Sequence, residues 1–351
     1  MERKAERNGT HGSTVITIGS VRLGHDPFPV IAGPCAIESE EQMETVADAA
    51  VEYGASLLRG NAYKPASSPY DFHGLGSDGL DLLAAAGRRV GLPTVTQVTE
   101  AVHAEEIAQK VDVLEVASAN MQDFELLRVL GRLGKPVLLR RGPSATLDEW
   151  LWSAEYVLAE GNEQVVLVER GIRTFGTGRT DMLDINSVPS LRELTHLPII
   201  VDPSHAAGGA SRVRPLALAA QGVGADGLIV EVHPSPEIAR SSDKQLGFGP
   251  FSDLMVALGI HRMRTDIDQI DRQIVRLLGR RQDLSQRIGE VKHERGMPVQ
   301  IPDREAELLD IIRKEAVHHG LEPEHVADLF GRVLSESRRL QHEMRAETPD
   351  A

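Results

Sequence analysis

Between residues 28 and 234 the chain alternates short apolar or β-branched runs with amphipathic stretches of helical spacing. The runs are PVIAGPCAI, ASLLRG, PTVTQV, VDVLEVAS, KPVLLRRG, QVVLVERG, LPIIVDPSH and ADGLIVEVHP. Stretches such as EEQMETVADAAVEYG and TLDEWLWSAEYVLAEG lie between them. Near-continuous apolar strands suit a parallel sheet whose two faces are both buried. Eight strand–helix units in succession predict an α/β fold, a (β/α)8 barrel rather than an open doubly wound sheet. No GxGxxG opens a helix to support the open sheet.

Ahead of the barrel, TVITIGSVRLG alternates around a Gly-Ser pair and predicts a β-hairpin that plugs the barrel base. Behind it, SSDKQLGFGPFSD reads as loop, and from about Ile260 the pattern becomes wholly helical. The segment MRTDIDQIDRQIVRLLGRRQDLSQRIGEVKHER carries Ile267, Ile270, Ile274, Leu277 and Leu278 on one stripe and no proline before Pro298. Two further helices are expected, with Asp303 as an N-cap and Gly320 and Pro323 as punctuation. The predicted organisation is a disordered tail over 1–13, a barrel over 14–258, a three-helix domain over 262–345 and a short tail over 346–351.

Composition narrows the function classes. A single cysteine in 351 residues excludes an intramolecular disulfide. The N-terminus lacks a signal-like apolar run and no stretch approaches membrane-spanning length, so a cytoplasmic protein with no membrane partner is expected. The net charge of −14 argues against nucleic-acid binding. Residues 262–345 hold sixteen basic and sixteen acidic residues, so the rest of the chain carries the whole deficit. Two surfaces of different chemistry agree with two domains.

Polar residues concentrate where the strands should end: Cys35, Arg59, Lys64, Arg140, Arg170, His205 and Glu231 each finish or follow an apolar run. In a (β/α)8 barrel those ends share one mouth, where the chemistry resides. Cys35 could fill core, attack a substrate or hold a metal, and spacing alone does not choose among these.

In the helical region, Arg264, Arg281 and Lys292 stay near the apolar stripe of the long helix. This segment resembles the AroQ class of chorismate mutases, all-helical domains that dimerise by intertwining. The resemblance implies that Arg264, Arg281, Lys292 and Arg304 supply the cations, Glu305 the acid, and Ser337 and Gln341 the polar pair of the last helix. Ile301 stands where the family has an aspartate. Chorismate is a dianion that rearranges to prephenate without covalent or proton catalysis, so an enzyme must clamp two carboxylates and stabilise charge on the breaking ether oxygen. Arginine forks suit the carboxylates, and Lys292 with Gln341 suits the ether oxygen. Arg264 would reach into the partner's site, which implies a homodimer through the helical domain; contacts between barrels would allow a tetramer.

The barrel motifs GPCAIES, RGNAYKPASSPYDFHGLG, DPSHAAG and VEVHPSP resemble the 3-deoxy-arabino-heptulosonate 7-phosphate (DAHP) synthases, in the subgroup related to octulosonate phosphate synthases. Those enzymes condense phosphoenolpyruvate with erythrose 4-phosphate using a divalent metal. The resemblance implies Cys35, His205, Glu231 and Asp243 as metal ligands, the last in a SSDKQ run one residue shorter than the family's. A mixed thiolate, imidazole and carboxylate set suits Mn, Fe, Co or Zn. It further implies Arg59, Lys64, Ser67, Arg140 and Arg170 as substrate-binding residues, with Arg140 in place of the family's lysine.

Two positions depart more sharply, since Ala66 and Ala119 stand where the family has arginines for the aldose phosphate and for phosphoenolpyruvate. Losing one charge-assisted contact costs on the order of 1.5 to 3 kcal/mol. The leading expectation is a bifunctional enzyme of aromatic biosynthesis. The alternative is an active mutase joined to a barrel that takes a different aldehyde, or that is weakly active and serves as scaffold or regulator.

Overall fold

The computed structural model describes residues 3–7, 12–24, 28–64, 68, 70–175, 181–240 and 244–347, the side chains of Asp181, 260–266, 268–269 and 344–347 excepted. It divides into two compact units, Met1–His261 and Arg262–Ala351.

In the first unit, strands β1 (Ile16–Ile18) and β2 (Val21–Leu23) form an antiparallel hairpin. The barrel strands are β3 (Val30–Gly33), β4 (Leu57–Arg59), β5 (Thr94–Val98), β6 (Val113–Val116), β7 (Val137–Arg140) and β8 (Val165–Glu169). A small antiparallel pair, β9 (Ile172–Arg173) and β10 (Asp181–Met182), precedes β11 (Ile199–Val201) and β12 (Leu228–Glu231). All pairings in the barrel are parallel, and the order β11-β12-β3-β4-β5-β6-β7-β8 closes on itself. Helices α1 (Glu40–Glu52), α2 (Ser77–Val90), α3 (Ala104–Lys110), α4 (Phe124–Leu133), α5 (Leu147–Ala159), α6 (Ser187–Leu194), α7 (Pro203–Ala207) and α8 (Val213–Gly222) alternate with the strands.

Strand alternation sorts the core into two layers. One set of side chains, among them Val30, Leu58, Leu114, Leu139 and Leu167, packs outward against Val46, Leu83, Leu126, Trp150 and Leu191 of the helices. The other set points inward: Ile31, Leu57, Val95, Val113, Leu138, Val166, Val168, Ile200 and Ile229 fill the barrel together with Ile16, Ile18 and Leu23 of the hairpin. The hairpin thus packs into the barrel interior, as its pattern predicts.

Within the expected disordered tail over 1–13, residues 3–7 are ordered against the barrel. Glu6 bridges Thr195 in antiparallel fashion, the Ala5 amide donates to Glu155 Oε1 at 2.6 Å, and Ala5 is buried in the core. These partners lie about 150 to 190 residues away in sequence, so no local pattern announces them.

Helix α9 (Phe248–Glu294) also differs, because GPFSD, expected as loop, is already helical. Phe251, Leu254 and Leu258, spaced three and four apart, bury one face in the barrel core. Pro250 is tolerated in the first turn, where its missing N–H costs no hydrogen bond. The later residues of α9 belong to the second unit with α10 (Pro302–His318) and α11 (Pro323–Glu347). Ile301, not Asp303, is the N-cap of α10, and Asp303 sits in the first turn where a carboxylate complements the helix dipole. Gly320, at φ 69°, and Pro323 punctuate the α10–α11 turn as expected.

Candidate active sites

The inward-facing positions two residues beyond the apolar barrel layer build the first site. Leu57 leads to Arg59, Val95 to Gln97, Val113 to Glu115, Leu138 to Arg140, Val168 to Arg170, Ile200 to Asp202 and Ile229 to Glu231. A polar layer therefore lies directly above the apolar one, at the C-terminal ends of the strands. The corresponding residue of β3 is Gly33, where a Cβ would come within 1.9 Å of the Arg59 carbonyl oxygen.

Five of these side chains, together with the partly exposed His205, close a ring of charge. Arg140 Nε is 2.5 Å from Glu115 Oε1, and Glu115 Oε1 is 3.7 Å from Arg59 Nη2. Arg59 Nη1 donates to Glu231 Oε1 at 3.1 Å, and the same oxygen is 3.7 Å from His205 Nε2. His205 Nδ1 meets Asp202 Oδ2 at 2.8 Å, and Asp202 Oδ2 returns to Arg140 Nη1 at 2.5 Å. Burial opposes ionisation of Glu231 and Asp202, yet the His205 imidazole and the arginines outweigh it and hold both pKa values below the ordinary range. For Arg140, burial is likewise overcome by Glu115 and Asp202, which push its pKa up.

Above the ring lies a cavity of about 390 Å3 lined by Cys35, Asn61, Lys64, Gln97, Arg140, Arg170 and His205, with Ala117, Ser118, Ala119 and Pro143 on one wall. Arg140 Nη2 is buried with no hydrogen-bond partner among the described residues. Lys64, Arg140 and Arg170 thus face one space, whereas Arg59 is wholly buried beneath it. Cys35 is held by its backbone: its amide donates to Gln245 Oε1 at 2.8 Å, and its carbonyl accepts from Asn61 Nδ2 at 2.7 Å. Burial and the adjacent Glu231 carboxylate push the Cys35 thiol up to about 12.

Cys35, His205 and Glu231 are brought together around Glu231, a set of soft, borderline and hard donors. Asp202 occupies the second ring nitrogen of His205 and leaves Nε2 facing Glu231, an orientation that suits metal ligation. Among the described residues no group of three or more His, Cys, Asp or Glu side chains is disposed to hold a metal ion by itself. Ala66, Ser67 and Asp243 lie outside the described residues. Gln97, Glu115, Asp202 and Asn61 were not singled out in the sequence. For the first three the sequence shows only a polar residue two positions beyond an apolar one, and strand pairing is what reveals that this face points inward.

The second site lies in the helical unit. Arg281 Nη1 donates to Ser337 Oγ at 2.8 Å, and Gln341 Nε2 donates to the Ser285 carbonyl at 2.7 Å and its Oγ at 3.1 Å. A Cβ at Gly289 would lie 2.9 Å from Gln341 Cγ, so the glycine admits that side chain. Lys292 Nζ donates to the Val299 carbonyl at 2.7 Å, and Glu305 Oε2 accepts from Arg338 Nη1 at 2.7 Å. Arg304 is exposed and pairs with Glu307 instead of joining Arg281. The side chain of Arg264 lies outside the described residues.

Residues 9–254 match the family model of the DAHP synthetase I family, and residues 263–342 match that of chorismate mutase type II. A phospho-2-dehydro-3-deoxyheptonate aldolase of Thermotoga maritima is 46% identical over 243 residues, covering 69% of this chain and 72% of the relative. A 2-dehydro-3-deoxyphosphooctonate aldolase of Bradyrhizobium diazoefficiens is 32% identical over 253 residues, covering 67% and 89%. Among solved structures, the T. maritima DAHP synthase superposes with a TM-score of 0.71 at 42% identity over 73% of this chain and 75% of that one. Its truncated form gives 0.69 at 40% identity over 76% and 96%. No helix among the described residues is long and apolar enough to cross a membrane.

Proposed function

The chain belongs to the DAHP synthetase I family and continues into a type II chorismate mutase domain, and on that premise we propose how its residues divide two chemistries between the units. The barrel condenses phosphoenolpyruvate with erythrose 4-phosphate, and the helical domain rearranges chorismate to prephenate. The observation that carries the first reading is the ring of charge beneath a cavity faced by Lys64, Arg140 and Arg170.

Phosphoenolpyruvate carries a carboxylate and a phosphate, and these three cations supply what such a ligand needs. Arg140 is held from two sides by Glu115 and Asp202, so its unpartnered Nη2 is pre-aimed and loses little freedom on binding. Arg59 neutralises Glu115 and Glu231 from below and acts as a support. Of the three roles open to Cys35, metal ligation fits best: it shares the mouth with His205 Nε2 and Glu231, and its raised pKa is a poor property for a nucleophile. Cys35, His205 and Glu231 would hold a divalent Mn, Fe, Co or Zn ion, with Asp243 as a fourth candidate. Such an ion supplies Lewis-acid polarisation of the aldehyde carbonyl.

In the helical domain Arg281, steadied by Ser337, is placed to clamp a chorismate carboxylate. Gln341 and Lys292 provide the donors for the ether oxygen, with Arg264, Arg304 and Glu305 completing the proposed set. Ile267, Ile270, Ile274, Leu277 and Leu278 are 41 to 64% exposed, and a second copy of the helical domain would cover this stripe.

Ala119 lines the cavity without contributing charge, which favours a second reading in which the barrel takes a different aldehyde or turns over slowly. Paired assays on one preparation distinguish the readings: metal-supplemented condensation against several phosphorylated aldoses, and chorismate disappearance. Efficient use of erythrose 4-phosphate supports the first, and mutase activity alone supports the second.

A further inference from the structure

The cavity is polarised around the barrel. Its arginines, Arg140 and Arg170, close β7 and follow β8, whereas Cys35 and Glu231 belong to the ends of β3 and β12 farther round the barrel, and His205 follows β11, the strand between β8 and β12. If the first anion occupies the arginine side, the aldehyde carbonyl meets the donor side, and the rest of the aldehyde leaves toward the loops that follow β12, β3 and β4. These three strands are neighbours in the barrel, so their loops adjoin at the same rim.

Arg240 stands at that junction. Arg240, in the loop after β12, donates its backbone amide to Glu38 Oε1 at 2.9 Å, and Glu38 lies in the loop after β3, three residues beyond Cys35. The Arg240 guanidinium lies 3.9 Å from the centroid of Phe72, in the loop after β4. Phe72 adjoins His73, whose carbonyl accepts from the Lys64 amide at 2.9 Å, so the platform is tied to a residue that lines the cavity. Stacking engages the face of a guanidinium and leaves its N–H donors directed outward in plane, the geometry that reads a phosphate bidentately. Phe72 therefore steadies the group without consuming the edge an anion needs.

We infer that Arg240, presented on Phe72 at the rim shared by the loops after β12, β3 and β4, binds the phosphorylated end of the aldehyde and sets the preference for a phosphorylated acceptor. This rests on the condensation reading above. Lys64, Arg140 and Arg170 serve the inner substrate, and Arg240 serves the outer one.

The test compares wild type with Arg240→Ala and Phe72→Leu, using erythrose 4-phosphate and unphosphorylated erythrose as acceptors. Arg240→Ala is expected to lower the kcat/KM preference for the phosphorylated sugar about ten- to hundredfold, mainly through KM for the aldehyde and not for phosphoenolpyruvate. Phe72→Leu should give a smaller loss of the same kind. A drop shared equally by both sugars, or an unchanged preference, overturns the inference. Should wild type condense neither sugar, calorimetric binding of erythrose 4-phosphate decides independently of turnover. Weaker binding in Arg240→Ala then upholds the inference while the condensation reading fails, and equal binding defeats it.

Discussion

Asp202 Oδ2 lies 2.8 Å from His205 Nδ1, so one buried carboxylate fixes which ring nitrogen of the histidine faces Glu231. The same carboxylate anchors Arg140, so the donor side and the anion side of the cavity share a support. Outer partners of ligating histidines tune metal affinity by about ten- to hundredfold. Asp202→Asn is expected to weaken divalent-metal binding by that factor, read by competition with a chromophoric chelator in the absence of substrates. Unchanged affinity would remove Asp202 from this role.

The Cys35 thiol gives a pH-dependent signature. Burial and Glu231 raise its pKa from the usual 9.0 to about 12, so the folded, metal-free protein favours the protonated form. Stability drawn from this preference is complete below pH 9, the unfolded value, and is lost as pH rises toward 12. Iodoacetamide should therefore alkylate Cys35 slowly at pH 7 to 9 in chelator-treated native protein, and with a midpoint near 9 once urea unfolds it. A native profile with the same midpoint would contradict the buried, Glu231-paired thiol.

Glu115 carries two arginines on one carboxylate in a fully buried position. Glu115→Gln keeps the shape but leaves Arg59 and Arg140 with one anion fewer. Removing one partner of a buried pair costs about 3 to 5 kcal/mol, so the urea midpoint of the barrel should fall accordingly. A change below about 1 kcal/mol would mean that Glu115 is dispensable to the ring.

In the helical unit the Arg281–Ser337 contact is the most direct test of the mutase assignment. Arg281→Ala should reduce kcat/KM for chorismate about ten- to hundredfold or more while leaving condensation unaltered, as followed by chorismate absorbance. Equal turnover would place Arg281 among ordinary helix-surface cations.

The barrel, the hairpin in its base and the second, helical unit were legible in the sequence because period-two and period-3.6 patterns report burial directly. Cys35, His205 and Glu231 were legible as polar residues at strand ends. Glu115, Gln97 and Asp202 were not, since a lone polar residue within an apolar run reveals its role only when strand pairing shows which side faces inward. Residues 3–7 and the early start of α9 were hidden for another reason. Their stability comes from partners distant in sequence, Thr195 and Glu155 for the former and the barrel core for Phe251, Leu254 and Leu258. Arg240 was passed over because only the meeting of three loops distinguishes it from an ordinary surface arginine.

Two chemistries in one chain, each in its own unit, can be tested with a single substitution. Cys35→Ala, assayed for metal content, condensation and mutase turnover on one preparation, should lose bound divalent metal and condensation together while mutase turnover persists. Metal content and condensation equal to wild type would contradict the assignment of Cys35, and with it the placement of the barrel's chemistry at this mouth.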